Sequence, residues 1–178
     1  MRGPEMIRKA SMADLPYIRQ IYEDIHTEEE NGTLTIGWAR GVYPTEKTAE
    51  ASVQRGDMFV LEKEGKILGA GIINQVQVDV YENAPWEYPS EAVCVLHTLV
   101  ISPNASGRGY GKAFVGFYEK WAEEHSLMEL RIDTNARNSV ARSMYRKLGY
   151  KEIGIVPTVF NGIPGVDLVL LEKNLAKR

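Results

Sequence analysis

Residues 95–112 carry the sequence VLHTLVISPNASGRGYGK, and this stretch decides which fold we expect. Its first half is an apolar run typical of a buried β-strand. Its second half is a turn in which Gly107, Gly109 and Gly111 occupy alternate positions. Glycine has no Cβ atom, so the backbone N–H groups of such a turn can point at a bound anion. Residues 112–124 have the periodicity of a helix, whose N-terminus favours phosphate. The stretch therefore predicts a strand, a phosphate-binding turn and a helix.

Two common nucleotide-binding loops are excluded by their spacing. A P-loop requires glycine where this chain has Ser106, and a hydroxyl residue where it has Ala113 after Lys112. The dinucleotide fingerprint GxGxxG requires glycine at its sixth position. That position is Lys112 when the motif starts at Gly107, and Phe114 when it starts at Gly109. An ordinary strand-to-helix turn without a ligand remains an alternative on the turn alone.

A second segment, NSVARSMYRKLGY at residues 138–150, supports an anionic ligand. Residues 134–151 contain no carboxylate, although the whole chain has a net charge of −3. The basic residues of this run are Arg137, Arg142, Arg146, Lys147 and Lys151. Because a solvated helix face usually mixes both signs of charge, this run indicates a polyanionic ligand.

The sequence SGRGYG, followed by Asn138, Ala141, Tyr145 and Gly149-Tyr150, resembles the GCN5-related N-acetyltransferase (GNAT) superfamily. The likeness includes the pyrophosphate loop and the NxxAxxxYxxxGF/Y segment, and it covers most of the chain. It implies an α/β (α+β) fold: a mixed, mostly antiparallel sheet with splayed fourth and fifth strands, flanked by about four helices. One departure is Ser106, where the family usually has Gln or Arg. Because backbone N–H groups hold most of the pyrophosphate, this change should weaken one contact without removing the site.

The resemblance implies acetyl-CoA as the cofactor and assigns residues to it. In the fourth strand, backbone groups of Leu99 and Ile101 would pair with the pantetheine arm. The expected cofactor-binding residues are Leu99, Ile101, Ser106, Gly107, Arg108, Gly109, Tyr110, Gly111, Lys112, Asn138, Ser143, Tyr145 and Lys147. We assign no residue to a metal.

Acetyl transfer to an amine requires a general base and a proton for the departing thiolate. An amine with a pKa of about 10.4 is neutral at pH 7 in roughly 1 of 2,500 molecules, a handicap of about 4.6 kcal/mol. His97 is the predicted base, acting directly or through water, because its ordinary pKa of about 6.5 suits the task. Glu91, Asp79, Asp133 and water alone remain alternatives. The resemblance assigns Tyr145 as the proton donor.

The acceptor is expected to be a primary amine of a small molecule or a peptide, but the sequence does not identify it. The predicted substrate pocket includes Trp38, Tyr43, Tyr81 and Trp86. Residues 75–90 are rich in aromatic side chains and either border this pocket or pack on the core. A CoA-binding regulatory module without turnover is the alternative function.

Composition limits the remaining possibilities. We expect residues 1–178 to form one N-acetyltransferase domain, since 44% hydrophobic content is enough for one core. No stretch approaches the roughly 18 apolar residues of a membrane span, and no basic surface suggests nucleic-acid binding. The single cysteine, Cys94, fits a reducing compartment, so we expect a cytoplasmic protein. The resemblance is also compatible with a homodimer.

Periodicity and turn residues predict the order of the elements. Helices are expected at about 11–29, 44–55, 112–126 and 138–148. Strands are expected at 7–9, 58–62, 67–74, 129–134, 151–156 and 166–172, and the fourth strand is the apolar run that begins at residue 95.

Overall fold

The computed structural model describes residues 4–177 and contains one mixed sheet with helices on both faces. The strands are β1 (Met6–Lys9), β2 (Met58–Lys63), β3 (Lys66–Asn74), β4 (Val93–Ile101), β5 (Glu129–Asn135), β6 (Lys151–Phe160) and β7 (Ile163–Asn174). The helices are α1 (Leu15–Glu30), α2 (Glu46–Arg55), α3 (Tyr110–Glu124) and α4 (Ser139–Lys147). None of these helices is both long and apolar enough to cross a membrane.

The sheet has the order β1-β2-β3-β4-β5-β7-β6, and β4 and β5 form its parallel pair. Their pairing ends at Leu96 and Ile132, so the rest of the two strands diverges. This arrangement confirms the predicted mixed sheet with splayed fourth and fifth strands and four helices.

The two faces of the sheet are covered differently. Helices α3 and α4 pack on one face, against alternate residues such as Cys94 and Leu96. Helices α1 and α2 pack on the opposite face of β2 and β3. On that same face, residues 75–90 cover the part of β4, β5 and β7 that none of the four described helices covers. This second face carries Asp133, because β5 residues alternate between the faces.

A β-bulge in β4 produces the divergence of the two strands. In the pairing of β3 with β4, Ala70 lies opposite Val100 and Ile72 lies opposite His97. The single residue Gly71 of β3 therefore lies opposite two residues of β4, Thr98 and Leu99. Thr98 has a φ of +51°, which is unusual for a β-branched residue. A bulge bends a strand and ends regular pairing, so it opens the sheet beside Leu99.

The C-terminal hairpin is longer than the sequence patterns predict. We expected strands to end at Val156 and to resume at Val166, whereas β6 reaches Phe160 and β7 starts at Ile163. The reason is a tight turn at Asn161-Gly162, where φ is +47° and +86°. Asn-Gly favours such two-residue turns, which match the twist of the flanking strands. The extension brings Phe160 to the divergence of β4 and β5.

Candidate active site

The glycine turn before α3 has the conformation and the open space that an anion requires. Gly107 and Gly109 have φ values of +74° and +81°, and Gly109 is the N-cap of α3. A Cβ atom built at either glycine would meet no atom within 4 Å, so the space beside the turn is open. The first amides of a helix have no acceptor within the helix. The turn therefore fits a pyrophosphate.

Six other predicted cofactor residues lie along two grooves beside this turn. Leu99, Ile101 and Ser106 line an outer groove of about 270 Å³ between β4 and residues 33–36. A second groove, of about 590 Å³, lies between α3 and α4 and is lined in part by Lys112, Ser143 and Lys147. Arg108 is exposed. The ring of Tyr110 is buried in the core, so only its backbone can serve a ligand.

Part of the basic run has a structural use that the sequence does not reveal. Arg142 donates two hydrogen bonds of 2.9 Å to the carboxylate of Glu152. Lys151 pairs with Glu87 at 2.8 Å. Both carboxylates lie outside residues 134–151, so the absence of acidic residues within the run does not leave all its cations for a ligand.

The divergence of β4 and β5 forms a narrow inner cleft of about 80 Å³. This inner cleft shares Ile36 and Leu99 with the outer groove, so the two spaces lie side by side. Its lining consists of Ile36, Gly37, Trp38, Tyr43, Leu96, Thr98, Leu99, Asp133, Thr134, Asn135, Asn138, Ala141, Tyr145, Phe160, Val166 and Leu168.

The segment between α1 and α2 covers the inner cleft at close range. Glu29 accepts hydrogen bonds of 2.8 Å from the amides of Ile36 and Gly37. A Cβ atom built at Gly37 would lie 2.2 Å from Nδ2 of Asn135, and the φ of this glycine is +86°. Only glycine therefore permits this approach of the segment to β5.

Two predicted site residues of α4 face the inner cleft. Asn138 is the N-cap of α4, and its Oδ1 accepts a hydrogen bond of 3.1 Å from the amide of Ala141. Tyr145 is 5% exposed and packs edge-on against Tyr150, with ring centroids 5.8 Å apart. Burial and the nearby charge of Asp133 raise the pKa of Tyr145 above its ordinary value. Tyr145 therefore keeps its proton at neutral pH.

A side cavity of about 400 Å³ lies on the other side of the inner cleft. Four residues line both spaces: Tyr43, Thr98, Asp133 and Phe160. The remaining lining of the side cavity consists of Thr48, Ala51, Ser52, Arg55, Ile72, Asn74, Val76, Val78, His97 and Asn161. The two spaces therefore meet at these four shared residues.

Asp133 is the carboxylate at this junction. Its Oδ2 accepts a hydrogen bond of 2.6 Å from the hydroxyl of Tyr81. Burial raises the pKa of Asp133 to about 6, while the Tyr81 hydroxyl acts in the opposite direction. With this pKa, about nine-tenths of the Asp133 side chains are ionised at pH 7.

His97 lines the side cavity but not the inner cleft. Its Nε2 lies 2.8 Å from Oδ1 of Asn74, whose amide nitrogen donates to Asp57. Because Asn74 Oδ1 can only accept, the hydrogen-bond network assigns the proton of His97 to Nε2. Burial lowers the pKa of His97 to about 4. His97 is thus neutral at pH 7 and weakly basic.

The other two candidate bases are placed less favourably. Glu91 and Asp79 are both exposed, and neither lines the inner cleft or the side cavity.

The four aromatic residues predicted for the substrate pocket separate into two pairs. Trp38 and Tyr43 line the inner cleft, stacked edge-on at 6.0 Å, and the Tyr43 hydroxyl bonds to Thr98 Oγ1. Tyr81 and Trp86 line neither space and belong to the core on the second face of the sheet. They pack there because none of the helices in residues 4–177 covers the β4, β5 and β7 part of that face, and their rings bury large apolar areas.

Sequence patterns did not identify several residues of the side cavity. Thr48, Ser52 and Arg55 lie on one face of α2, at spacings of four and three residues. This spacing was visible in the sequence, but nothing in the sequence indicated that the face meets β3 and β4. Asn74 and Thr98 carry no local signal of a site.

Comparisons with known proteins agree with this geometry. The family model described as "Acetyltransferase (GNAT) family" matches residues 15–150. Streptothricin acetyltransferase of Escherichia coli is 24% identical over 152 residues, which are 85% of this chain and 80% of that protein. Mycothiol acetyltransferase of Cellulomonas flavigena is 26% identical over 97 residues, 54% of this chain and 27% of that protein.

Solved structures show the same fold. A GNAT-family acetyltransferase of Streptococcus agalactiae 2603 superimposes with a TM-score of 0.80 at 22% identity, covering 98% of this chain and 97% of that chain. YncA of Salmonella typhimurium, a putative acetyltransferase solved with its cofactor acetyl-CoA, superimposes with a TM-score of 0.71 at 17% identity, covering 97% and 95%. Together with the family match, these findings identify the chain as an acetyl-CoA-dependent acetyltransferase that belongs to the GNAT family.

Proposed function

We propose that this chain transfers the acetyl group of acetyl-CoA to a primary amine of a small molecule or a peptide end. One observation carries the proposal: the inner cleft and the side cavity meet at Tyr43, Thr98, Asp133 and Phe160. A thioester in the cleft and an amine in the cavity would face each other at this junction. The geometry favours direct attack in a ternary complex.

Residues at the glycine turn and along the two grooves beside it would hold the cofactor in three places. The open turn at Gly107 and Gly109 would hold the pyrophosphate, and backbone groups of Leu99 and Ile101 would pair with the pantetheine arm. Lys112 and its neighbours between α3 and α4 would bind the outer phosphate end. When bound, acetyl-CoA supplies an activated acetyl thioester.

Asp133 is the general base that the geometry favours over His97. Both groups are available to accept a proton at pH 7, but the pKa values of about 6 and about 4 differ by two units. This difference corresponds to about 2.7 kcal/mol in proton affinity, in favour of Asp133. Asp133 also borders both spaces, whereas His97 borders the side cavity alone. His97 remains a candidate for orienting the acceptor through the lone pair on Nδ1.

Tyr145 would hold a proton at Oη for the departing thiolate. Its raised pKa keeps the proton on the hydroxyl at neutral pH. Tyr145 lines the inner cleft but not the side cavity, which supports a role beside the cofactor sulfur. The base and the acid would thus lie on opposite sides of the reacting carbonyl, as proton removal from the amine and proton delivery to sulfur require.

The side cavity supports a small acceptor. Its volume of about 400 Å³ lies within the range of small-molecule sites. The name of the streptothricin acetyltransferase relative also indicates a small molecule as the acceptor of that protein. A cytoplasmic location is part of the proposal and is supported by one buried cysteine, Cys94, whose pKa burial raises to about 12. A homodimer rests on the family resemblance alone.

The experiment that tests the proposal combines binding with turnover. At 100 times its Kd, acetyl-CoA should stabilise the protein by about 2.7 kcal/mol, which raises Tm by several degrees. A panel of small primary amines should then release free CoA thiol, and N,N-dimethyl analogues of the active amines serve as controls that cannot form a stable amide. Binding of acetyl-CoA without thiol release for any primary amine would favour a regulatory module. The absence of any thermal shift would contradict the cofactor site itself.

A further inference from the structure

The hydroxyl of Tyr81 donates a hydrogen bond to the carboxylate of Asp133. The Tyr81 side chain is 1% exposed, and its hydroxyl donates to Asp133 Oδ2 across 52 residues of sequence. No residue in the described range donates to Oδ1 of Asp133, the oxygen left for a ligand. We propose, on the basis of the proposed function, that Tyr81 is a positioning residue that aims Oδ1 at the acceptor amine and keeps Asp133 ionised.

The position of Tyr81 is fixed by contacts that reach away from the site. Trp86 donates a hydrogen bond of 2.7 Å from Nε1 to the carbonyl of Tyr81, and the two rings pack edge-on at 5.1 Å. The guanidinium of Arg131 lies 4.1 Å from the centre of the Trp86 ring. Arg131 lies two residues before Asp133 on the same face of β5, so this strand holds both ends of the Tyr81–Trp86 unit.

A buried ionic cluster anchors the remainder of residues 75–90. Arg131 forms an ion pair with Glu129 at 3.2 Å and donates a hydrogen bond of 2.7 Å to Oε1 of Gln77. Glu172 accepts hydrogen bonds from the amides of Glu87 and Tyr88. Burial and the neighbouring Glu172 raise the pKa of Glu129, so the carboxylates here are not independent. Breaking a buried pair of this kind is strongly destabilising, so these contacts fasten residues 75–90 to the sheet.

The chemical effect of Tyr81 follows from the direction of its hydrogen bond. A donor favours the ionised form of a carboxylate, whereas burial favours the protonated form. Without the Tyr81 hydroxyl, burial would act unopposed and the pKa of Asp133 would rise above about 6. The other titratable groups that line the spaces around Asp133 are Tyr43 from the α1–α2 segment, Tyr145 from α4, His97 from β4 and Arg55 from α2. Those groups are unchanged when the Tyr81 hydroxyl is removed.

The test is Tyr81→Phe, which removes one oxygen and keeps the buried ring. Loss of a hydrogen bond to a charged group should raise the pKa of Asp133 by about one to two units. The acid limb of the kcat/KM profile for the acceptor should therefore move upward by the same amount. At pH 7 the rate should fall by about twofold to tenfold, and much of it should return by pH 9. The affinity for acetyl-CoA should stay within about twofold.

Tyr118→Phe is the matched control. Tyr118 is also fully buried, and its hydroxyl donates a hydrogen bond of 2.5 Å to the carbonyl of Cys94. Its removal should lower Tm and leave the acid limb in place. If Tyr81 had only a structural role, Tyr81→Phe would likewise lower Tm and leave the acid limb in place.

A second readout separates this inference from the proposed function. In ¹³C-labelled protein, the carboxyl carbon of Asp133 should titrate near pH 6 in the parent and at higher pH in Tyr81→Phe, whether or not turnover is observed. If Tyr81→Phe does not fold, Trp86→Phe removes the Nε1 donor that holds Tyr81 and should move the titration in the same direction. An unmoved Asp133 titration in the folded variant would overturn the role of Tyr81, even with an active parent enzyme. Absence of acetyl transfer by the parent would instead overturn the proposed function.

Discussion

Replacement of Asp133 by Asn should lower kcat at pH 7 by about a thousandfold. The variant keeps the size of the side chain and an oxygen that can accept from Tyr81, but it removes the group that takes the amine proton. General acid–base catalysis contributes about 10² to 10⁴ in rate, and the amine alone is almost entirely protonated at pH 7. The measurement is the steady-state rate of thiol release with a saturating primary amine.

Two comparisons show whether the loss is specific to the base. The affinity for acetyl-CoA, measured by calorimetry, should change less than about threefold, because the proposed pyrophosphate turn does not involve Asp133. His97→Ala should cost less than about tenfold in kcat and should act mainly on KM for the acceptor, since His97 lines only the side cavity. If kcat fell further in His97→Ala than in Asp133→Asn, the general base would be His97 and not Asp133.

Replacement of Tyr145 by Phe should lower kcat by about a hundredfold while acetyl-CoA still binds. The change removes the proton that Tyr145 holds in the inner cleft, and its ring continues to fill the same space. The remaining rate would come from water as the proton source. Single-turnover measurements of thiol release separate this chemical step from product release.

Tyr150→Phe is the control for Tyr145. The two rings are in edge-on contact, but the buried hydroxyl of Tyr150 has no hydrogen-bond partner among the described residues and does not border the cleft. Its loss should change kcat by less than about threefold. Equal losses in both variants would show that the contact between the rings matters, and that proton donation by Tyr145 does not.

The sequence predicts the elements of this fold well, because each has a local signal. The glycine turn, the Asn138 N-cap and the helical stripe of α1 depend on residues within a few positions of one another. The longer hairpin of β6 and β7 was missed, although Asn161-Gly162 is a strong turn signal. The predicted strand ended at Val156, directly before Pro157, but β6 is the edge strand of the sheet, where proline is tolerated.

The site was less predictable because its decisive contacts join distant residues. Tyr81 meets Asp133 across 52 positions, and the Tyr43 hydroxyl meets Thr98 across 55. Aromatic composition alone does not distinguish a ring that lines a cavity, such as Tyr43, from one that fixes a carboxylate, such as Tyr81. Asp133 itself was one of several candidates, and its place at the junction of two spaces, together with its partial burial, separates it from the exposed Asp79.

The central claim is that ionised Asp133 receives the proton of an ammonium acceptor at the junction of the two spaces. The pH dependence of kcat/KM for a primary amine with a pKa of about 10.4 tests it most directly. If Asp133 is the base, the profile should rise tenfold per pH unit below about pH 6, where the carboxylate becomes ionised, and then stay flat up to the pKa of the amine. A profile that rises without a break to the pKa of the amine would mean that the enzyme accepts only the free amine and has no base of its own. A break near pH 4 would assign the proton to His97 and contradict the account given for Asp133.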